Sequence, residues 1–304
     1  MILPRVRICL GKILYGNKAG KNGVRISRDR MIKYPCHETE LEALRFVADH
    51  TSMPAPRVLE KFYLKGKLGV VMEYFPNTQS LDSCWEELDG VQKREIVKQL
   101  SNHLEQMRAL PPDDDYKIAS TYGRACYDFR VATDTFGPFE DSVEFHEALV
   151  NDRVKSNPVI QDFIYNEYKA RFTHGNLDVI NILVNKKTHQ FVALIDWKGA
   201  GWFPDYWEYT KMHFHAIYCV EFVELMKEVI ERYDKELEIE EYLWRIEKKP
   251  LDPATRAADE VVQSIETDSV AETVIVTPQV SPLDNDEEVG CIYDPVCALL
   301  HCRK

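Results

Sequence analysis

One segment constrains the fold of this chain more than any other, because it joins a polar loop to two short apolar runs. It reads Thr173-His-Gly-Asn-Leu-Asp-Val-Ile-Asn-Ile-Leu-Val184 and is followed by Ile195-Asp-Trp197. Runs of this length and composition predict that residues 181–184 and 190–195 form the two strands of a β-hairpin. The polar loop then feeds the hairpin, and the end of the hairpin presents the carboxylate of Asp196.

The chemistry available at this hairpin follows from its polar side chains. Asn181 and Asp196 supply carboxamide and carboxylate oxygens, which are hard donors of the kind that Mg²⁺ prefers. A loop beside such a cation can approach the acceptor of a phosphoryl group. The pattern therefore indicates phosphoryl transfer assisted by a divalent cation.

The sequence of residues 1–75 predicts a small lobe that consists of strands and one helix. The first part of the chain is interpreted as short strands, at 24–27 and 31–33, on either side of a polar turn. A helix from about residue 38 to residue 50 follows, since its apolar residues recur at helical spacing. A compact apolar run at 68–74 has the length of a strand and ends the lobe.

Residues 76–250 predict a larger, mainly helical lobe. Asp89 can cap the first of its helices. The pair Asn157-Pro158 combines a capping residue with proline at the first helical position, and the helix that it opens is expected to continue through Tyr168. Further helices are expected at about 206–249. The fold class predicted from this order is α+β, with two lobes.

The formal net charge of −12 is unevenly distributed along the 304 residues. Residues 1–33 hold nine basic side chains and one acidic one, whereas residues 251–304 hold eleven acidic and three basic ones. The acid excess and low apolar density of the second segment predict a disordered tail. The acidic total excludes a globally basic nucleic-acid binder, because such a protein needs an excess of Lys and Arg to displace counterions.

Compartment and membrane association are also predicted from composition. No apolar run approaches the roughly 20 residues that cross a bilayer, and the first residues lack the uninterrupted apolar stretch of a secretory signal. We therefore expect a soluble, cytoplasmic protein without a membrane partner. Five of the eight cysteines are scattered singly, which fits a reducing compartment. The other three lie near the end of the chain, where a metal knot, a lipidation site and exposed thiols remain alternatives: Cys291, Cys297 and Cys302.

The central motif resembles that of the aminoglycoside phosphotransferase and choline kinase-like family. The family loop reads His-Gly-Asp-Leu-x-x-x-Asn and is followed by Ile-Asp-Trp, and this chain has His174-Gly-Asn-Leu-Asp-Val-Ile-Asn181 and Ile195-Asp-Trp197. The resemblance extends to residues 40–47, 51–58 and 201–208, and it covers about residues 24–250. In this combination of stretches, the chain looks most like the fungal branch of the family. It implies a protein-kinase-like fold with a small β-rich N-terminal lobe, 1–75, and a helical C-terminal lobe, 76–250, before the tail.

The resemblance also implies an ATP site between the lobes. Lys33 matches the lysine that holds the α- and β-phosphates, and Glu40 matches the helix glutamate that pairs with it. Lys33 also ends an apolar strand, where a cation can face a cleft. The hinge whose backbone contacts adenine corresponds to Met72, Glu73 and Tyr74.

The remaining implied roles belong to the central motif. Asn181 and Asp196 match the Mg²⁺ ligands, and His174 matches the residue that braces the loop. Asn176 lies where the hydroxyl of a small-molecule acceptor docks. ATP and Mg²⁺ are thus the expected cofactors, and no identity is implied for the acceptor.

Two residues depart from the family pattern. Asn176 replaces the aspartate that accepts the hydroxyl proton, and a neutral carboxamide can orient a hydroxyl but cannot take up its proton. Asp178 can either substitute through a rearranged loop or lie in an exposed turn. Lys198 stands where fungal members often have glutamate. Its ammonium, next to Asp196, can compete with Mg²⁺ or partly replace the charge of that cation, or it can point to solvent.

Three hypotheses about function follow. The first is an ATP- and Mg²⁺-dependent phosphotransferase whose rate is reduced by Asn176. The second is a catalytically inactive relative that uses the same cleft to bind a ligand or a protein. The third is an enzyme of secondary metabolism that keeps the fold and performs another reaction.

Overall fold

The computed structural model describes residues 4–16, 22–112, 114–115, 117–132, 134–150, 152, 154–214 and 219–247. They all belong to one unit, Met1–Lys248. The predicted tail, 251–304, lies outside the described residues together with its three cysteines. Among the helices described, none combines the length and the apolar character that a membrane crossing requires.

A four-stranded antiparallel sheet and two helices form the first part of the unit. The strands lie in the order β1-β2-β4-β3, with bounds Gly23–Arg25 (β1), Arg30–Lys33 (β2), Val58–Leu64 (β3) and Lys67–Glu73 (β4). Helix α2, Glu38–His50, connects β2 to β3 and buries Leu41, Leu44 and Val47. Strands β1, β2 and β4 and helix α2 agree with the prediction, with ends shifted by up to two residues, whereas β3 was not predicted.

Helix α1, Pro4–Tyr15, was not predicted, since the first part of the chain was interpreted as strands alone. Its apolar side chains do not form a core-facing stripe: Ile13 is 78% exposed and Leu14 is 69% exposed. The helix instead contacts β1 through Gly11, where a Cβ atom would lie 2.5 Å from the carbonyl oxygen of Arg25. A contact made by a glycine leaves no hydrophobic period in the sequence.

Among the described residues, six α-helices dominate the second part. Their bounds are Gly90–Arg108 (α3), Ser142–Leu149 (α4), Pro158–Ile164 (α5), Trp207–His213 (α6), Val220–Lys227 (α7) and Asp234–Glu247 (α8). Asp89 caps α3 as predicted, in a capping box with Gln92. The prediction that α5 runs through Tyr168 is wrong. The backbone N–H of Tyr168 donates instead to Ser142 Oγ at 3.0 Å, so the chain has already left the helix.

Two small antiparallel sheets flank the central motif. One has the order β6-β10-β7, with bounds Ala119–Ser120 (β6), Ala170–Thr173 (β7) and Gly201–Pro204 (β10). The other has the order β5-β8-β9, with bounds Thr78–Ser80 (β5), Ile182–Asn185 (β8) and Phe191–Leu194 (β9). The predicted hairpin is therefore present as β8 and β9. The polar loop connects β7 to β8, and one sheet anchors each of its ends.

Candidate active site

Three charged side chains, from β2, from α2 and from the segment after β9, meet at one point. Lys33 Nζ, at the end of β2, lies 2.7 Å from Glu40 Oε1 on α2 and 2.9 Å from Asp196 Oδ1, two residues beyond β9. Only 3% of the Glu40 side chain is exposed, whereas Lys33 and Asp196 keep about a fifth of theirs accessible. The cluster is thus closed on the helix side and open on the other.

Two members of the cluster, Lys33 and Asp196, have pKa values shifted in favour of their charged forms. Burial alone would lower the pKa of Lys33, but the carboxylates of Glu40 and Asp196 outweigh it and raise that pKa above its usual value. Burial likewise acts to raise the pKa of Asp196, and Lys33 and Lys198 reverse this effect and lower it to about 2. At neutral pH, the site therefore presents an ammonium group beside an ionised carboxylate.

Lys198 makes a second ion pair with the same carboxylate. Its Nζ lies 3.3 Å from Asp196 Oδ2, with one third of the Lys198 side chain exposed. The carbonyl oxygen of Lys198 accepts a hydrogen bond from Thr39 Oγ1 at 2.6 Å, which ties this segment to α2. Of the two orientations left open by the sequence, the structure has the one directed at Asp196.

Asn176 lies beside this cluster and is half-buried. Its Nδ2 donates to Asp196 Oδ2 at 3.4 Å, and its carbonyl oxygen accepts from Asn181 Nδ2 at 2.9 Å. Two of the polar side chains predicted from the motif are thus joined to Asp196, one directly and one through the backbone of Asn176. Because the amide nitrogen of Asn176 is directed at Asp196, its amide oxygen is left for another donor.

His174 braces the loop from within the core. Its Nε2 donates to the carbonyl oxygen of Ile195 at 3.0 Å, and its Nδ1 accepts from the backbone N–H of Asn176 at 3.3 Å. The ring is completely buried, and this burial lowers the pKa of His174 to about 4. The imidazole is consequently neutral at pH 7 and serves as a structural link between the loop and Asp196.

Glu208 was not singled out in the sequence, yet it holds the same loop from the other side. Its carboxylate accepts from the backbone N–H of His174 at 2.5 Å and from that of Gly175 at 3.1 Å. Glu208 lies in the first turn of α6 and is buried, which raises its pKa. In the sequence, Glu208 stood out only as the last residue of the stretch 201–208, which resembles the family.

Arg130 is a further residue that the sequence did not indicate. Its guanidinium forms a two-pronged ion pair with Asp128, at 2.7 and 2.6 Å, and also donates to the carbonyl oxygen of Gly175. The side chains of both ion-pair partners are almost fully buried, at 2% and 1% exposure. Asp128 and Arg130 are separated by one residue in a loop, and nothing in the sequence of that loop indicates that their side chains are buried.

Asp178 has a local structural role. Its carboxylate accepts from the backbone N–H of Ile180 at 3.2 Å and caps the short helix Val179–Asn181. Its backbone carbonyl oxygen accepts from the backbone N–H of Asn181 at 2.9 Å.

The segment predicted as the hinge lies at the end of β4. Met72 is buried, the backbone N–H of Glu73 donates to the carbonyl oxygen of Arg57 at 2.9 Å, and that of Tyr74 donates to the carbonyl oxygen of Asp29 at 2.8 Å. The guanidinium of Arg25 stacks on the Tyr74 ring at 4.6 Å. The segment is thus fixed against the first sheet.

The oxygen donors predicted for Mg²⁺ already have partners within the protein. Asp196 and Asn181 offer oxygens of the right chemistry, but each oxygen of Asp196 already faces an ammonium group, Lys33 or Lys198. Within the described ranges, no three His, Cys, Asp or Glu side chains converge on one point. The protein groups alone therefore fit a divalent cation poorly.

Two cavities lie near the site. A narrow one of about 10 Å³ borders Asn176 and Lys198 and is closed by residues 127–130. It has room for about one water molecule. A larger one of about 480 Å³ lies between the start of α2, the β3–β4 turn and the segment around Arg124, and it is not lined by the predicted catalytic or metal residues.

Comparison with known proteins agrees with this geometry. The model of the phosphotransferase enzyme family matches residues 24–244, and no curated protein matches the sequence. The ADP-bound structure of aminoglycoside phosphotransferase APH(2'')-Ib is similar with a TM-score of 0.52 and 12% identity, over 86% of this chain and 98% of that one.

Two further solved structures show the same likeness. The gentamicin complex of APH(2")-IIa has a TM-score of 0.51 and 13% identity, over 82% of this chain and 89% of that one. The GDP complex of wild-type aminoglycoside 2'-phosphotransferase-IIIa has a TM-score of 0.51 and 14% identity, over 80% of this chain and 88% of that one. The predicted two-lobed, protein-kinase-like fold is confirmed. The family model matches residues 24–244 of this chain, and the charged cluster is assembled at the motif that the family shares. The chain therefore belongs to the phosphotransferase enzyme family.

Proposed function

We propose that this protein binds a nucleoside triphosphate, ATP in the first instance, and transfers its terminal phosphoryl group to the hydroxyl of a small molecule. The observation that carries the proposal is the meeting of Lys33, Glu40 and Asp196 beside the loop of Asn176. Two of the similar solved proteins are described as ADP-bound and as a GDP complex, which supports a nucleotide ligand. The nucleotide then lies between the predicted lobes, 1–75 and 76–250.

In the proposed reaction, the acceptor hydroxyl oxygen forms a bond to the terminal phosphorus, and the bond from that phosphorus to the bridging oxygen breaks. Lys33 holds the phosphates, since its ammonium is fixed by Glu40 and is partly exposed. The amide oxygen of Asn176 orients the hydroxyl by accepting its hydrogen bond. The hydroxyl proton leaves with the transferred phosphoryl group or to water, because Asn176 cannot take it up.

This assignment predicts a slow reaction. Loss of a general base costs about 10²–10⁴-fold in rate. Phosphoryl transfer depends mainly on positioning and on charge stabilisation, which Lys33 and the braced loop still provide. A measurable residual rate is therefore expected.

A second candidate function is favoured by the same residue. Asn176 is neutral and its amide nitrogen is committed to Asp196, so the cleft can bind a nucleotide or another ligand without turnover. An altered reaction on the same fold is the third possibility. Both differ from the main proposal in that no phosphoryl group reaches a hydroxyl acceptor.

Thermal unfolding with and without ATP tests the nucleotide site. A ligand at 100 times its Kd stabilises the folded state by about 2.7 kcal/mol, which raises the Tm of a domain of this size by about 5–10 °C. We expect this increase in the wild type and its loss in Lys33→Ala. Lys187→Ala, in the exposed turn between β8 and β9, is the matched control and should keep it.

Transfer itself is tested with ATP labelled in the terminal phosphate and a panel of polyhydroxylated small molecules. A labelled product formed by the wild type and not by Lys33→Ala supports the phosphotransferase proposal. Nucleotide stabilisation without any labelled product favours the inactive alternative. The absence of stabilisation in the wild type would contradict the phosphotransferase proposal and favour an inactive protein whose cleft binds another ligand.

A further inference from the structure

Both carboxylate oxygens of Asp196 are engaged by cationic side chains. Oδ1 lies 2.9 Å from Lys33 Nζ, and Oδ2 lies 3.3 Å from Lys198 Nζ. Oδ2 also accepts from Asn176 Nδ2 at 3.4 Å. A metal ion that used this carboxylate would have to displace Lys198 or lie close to its ammonium, and either change opposes binding of a doubly charged cation.

The local backbone directs Lys198 at this oxygen. Asp196 has a left-handed conformation, with φ of 66°, and begins the short helix Trp197–Gly199 that contains Lys198. The hydrogen bond from Thr39 Oγ1 to the Lys198 carbonyl oxygen, at 2.6 Å, fixes the next turn against α2. One third of the Lys198 side chain is exposed, so its ammonium lies on the open side of the carboxylate.

The charges of the cluster balance. Lys33 and Lys198 bring two positive charges, Glu40 and Asp196 bring two negative ones, and Asn176 adds none. Mg²⁺ sites in proteins depend on carboxylates that retain net negative charge. A polyphosphate, in contrast, is attracted by partly exposed ammonium groups, which bind phosphate as point charges.

We infer that the Lys198 ammonium supplies the positive charge that a divalent cation would otherwise bring, so that the protein binds a nucleoside triphosphate without Mg²⁺. The inference rests on the proposed function for the identity of the ligand. It extends that function by assigning Lys198 to the phosphate site beside Lys33, and it replaces the Mg²⁺ requirement expected from the resemblance.

Isothermal titration of the full chain with ATP, in a chelator and in millimolar Mg²⁺, tests the inference. For the wild type, we expect Kd values that agree within about threefold between the two buffers. For Lys198→Glu, which restores net negative charge beside Asp196, we expect affinity in the chelator to fall by about tenfold or more and Mg²⁺ to recover it. Lys187→Glu makes the same charge change in the exposed β8–β9 turn and should match the wild type.

Lys198→Met separates charge from packing, because it keeps most of the side-chain stem. Affinity in the chelator should fall for Lys198→Met as well, while its circular dichroism spectrum stays that of the wild type. Wild-type binding that requires Mg²⁺ would overturn the inference and leave the proposed function intact. Equal losses in Lys187→Glu and Lys198→Glu would also overturn it, and absence of ATP binding in either buffer would overturn the proposed function together with it.

Discussion

At position 176, a carboxamide can donate a hydrogen bond to Asp196, and an ionised carboxylate could not. Asn176 Nδ2 donates to Asp196 Oδ2, whereas an ionised aspartate there would place two negative charges side by side. The same substitution that removes the proton acceptor therefore also removes a repulsion. Asn176 and Lys198 act in the same direction, since both reduce the negative charge around Asp196.

Asn176→Asp is predicted to raise the rate of phosphoryl transfer by about 10²-fold, because it restores a group that can accept the hydroxyl proton. It should also lower the Tm slightly, since the hydrogen bond to Asp196 is lost. Initial rates of ADP formation in the presence of acceptor measure the first effect. Asn166→Asp, on the surface after α5, adds the same charge and should leave the rate unchanged. An unchanged rate in Asn176→Asp would contradict the role given to this position.

The sequence was informative about residues whose chemistry is visible in a motif. The pairing of Lys33 with Glu40 was implied by the resemblance and is present in the structure, whereas the contact between Lys33 and Asp196 was not predicted. Glu208 and Arg130 were missed, because their importance comes from burial against the loop rather than from spacing in the chain. A buried carboxylate that accepts backbone N–H groups is recognisable only once the fold brings them together.

At the scale of elements, the loop between β7 and β8 is shaped by close backbone approach. Gly175 has φ of +72°, and a Cβ atom there would lie 2.5 Å from the carbonyl oxygen of Gly199. The loop and the short helix Trp197–Gly199 can therefore touch only through a glycine. This contact sets the distance between Asn176 and Asp196.

Gly175→Ala is predicted to destabilise the protein far more than Gly66→Ala. Both glycines have positive φ, at +72° and +74°, but Gly66 has open space around its Cβ position. The conformational cost of about 1 kcal/mol is common to both, and Gly175→Ala adds the cost of displacing backbone, about 2 kcal/mol or more. Urea denaturation measures the difference in free energy of unfolding. Equal losses in the two variants would show that the loop can move away from Gly199.

Elements were predictable where their contacts follow a hydrophobic period. Helix α2 and strand β8 bury regularly spaced apolar side chains, and both were predicted. Helix α1 was missed because it packs through Gly11, and α5 was drawn too long because a side-chain acceptor, Ser142 Oγ, captures the backbone of Tyr168. Neither contact has a local signature.

At the scale of the whole molecule, two buried histidines make stability sensitive to acid. Burial lowers the pKa of His146 and of His174 to about 4, below the usual value of 6.5. Between these values the unfolded chain binds more protons than the folded one, so the free energy of unfolding falls as the pH is lowered from about 6.5 to about 4. The loss amounts to about 3 kcal/mol for each histidine.

Chemical denaturation at several pH values between 7 and 4 measures this dependence. In His146→Gln, the decrease in unfolding free energy over this range should be smaller than that of the wild type by about 3 kcal/mol. His50→Gln, which changes a histidine at the surface end of α2, is the control. If His146→Gln shows the full wild-type slope, the acid sensitivity has another origin.

The Lys33–Asp196 ion pair has a consequence for the order in which the molecule assembles. Its partners are 163 residues apart in sequence, and the Thr39–Lys198 hydrogen bond spans 159. The first sheet and α2 depend on much shorter separations, which form early because little chain entropy is lost in closing them. During synthesis, Lys33 and Glu40 can pair as soon as α2 folds, but the site is completed only after the chain has grown past Lys198. The proposed nucleotide site is therefore complete only after two contacts that span 159 and 163 residues have formed.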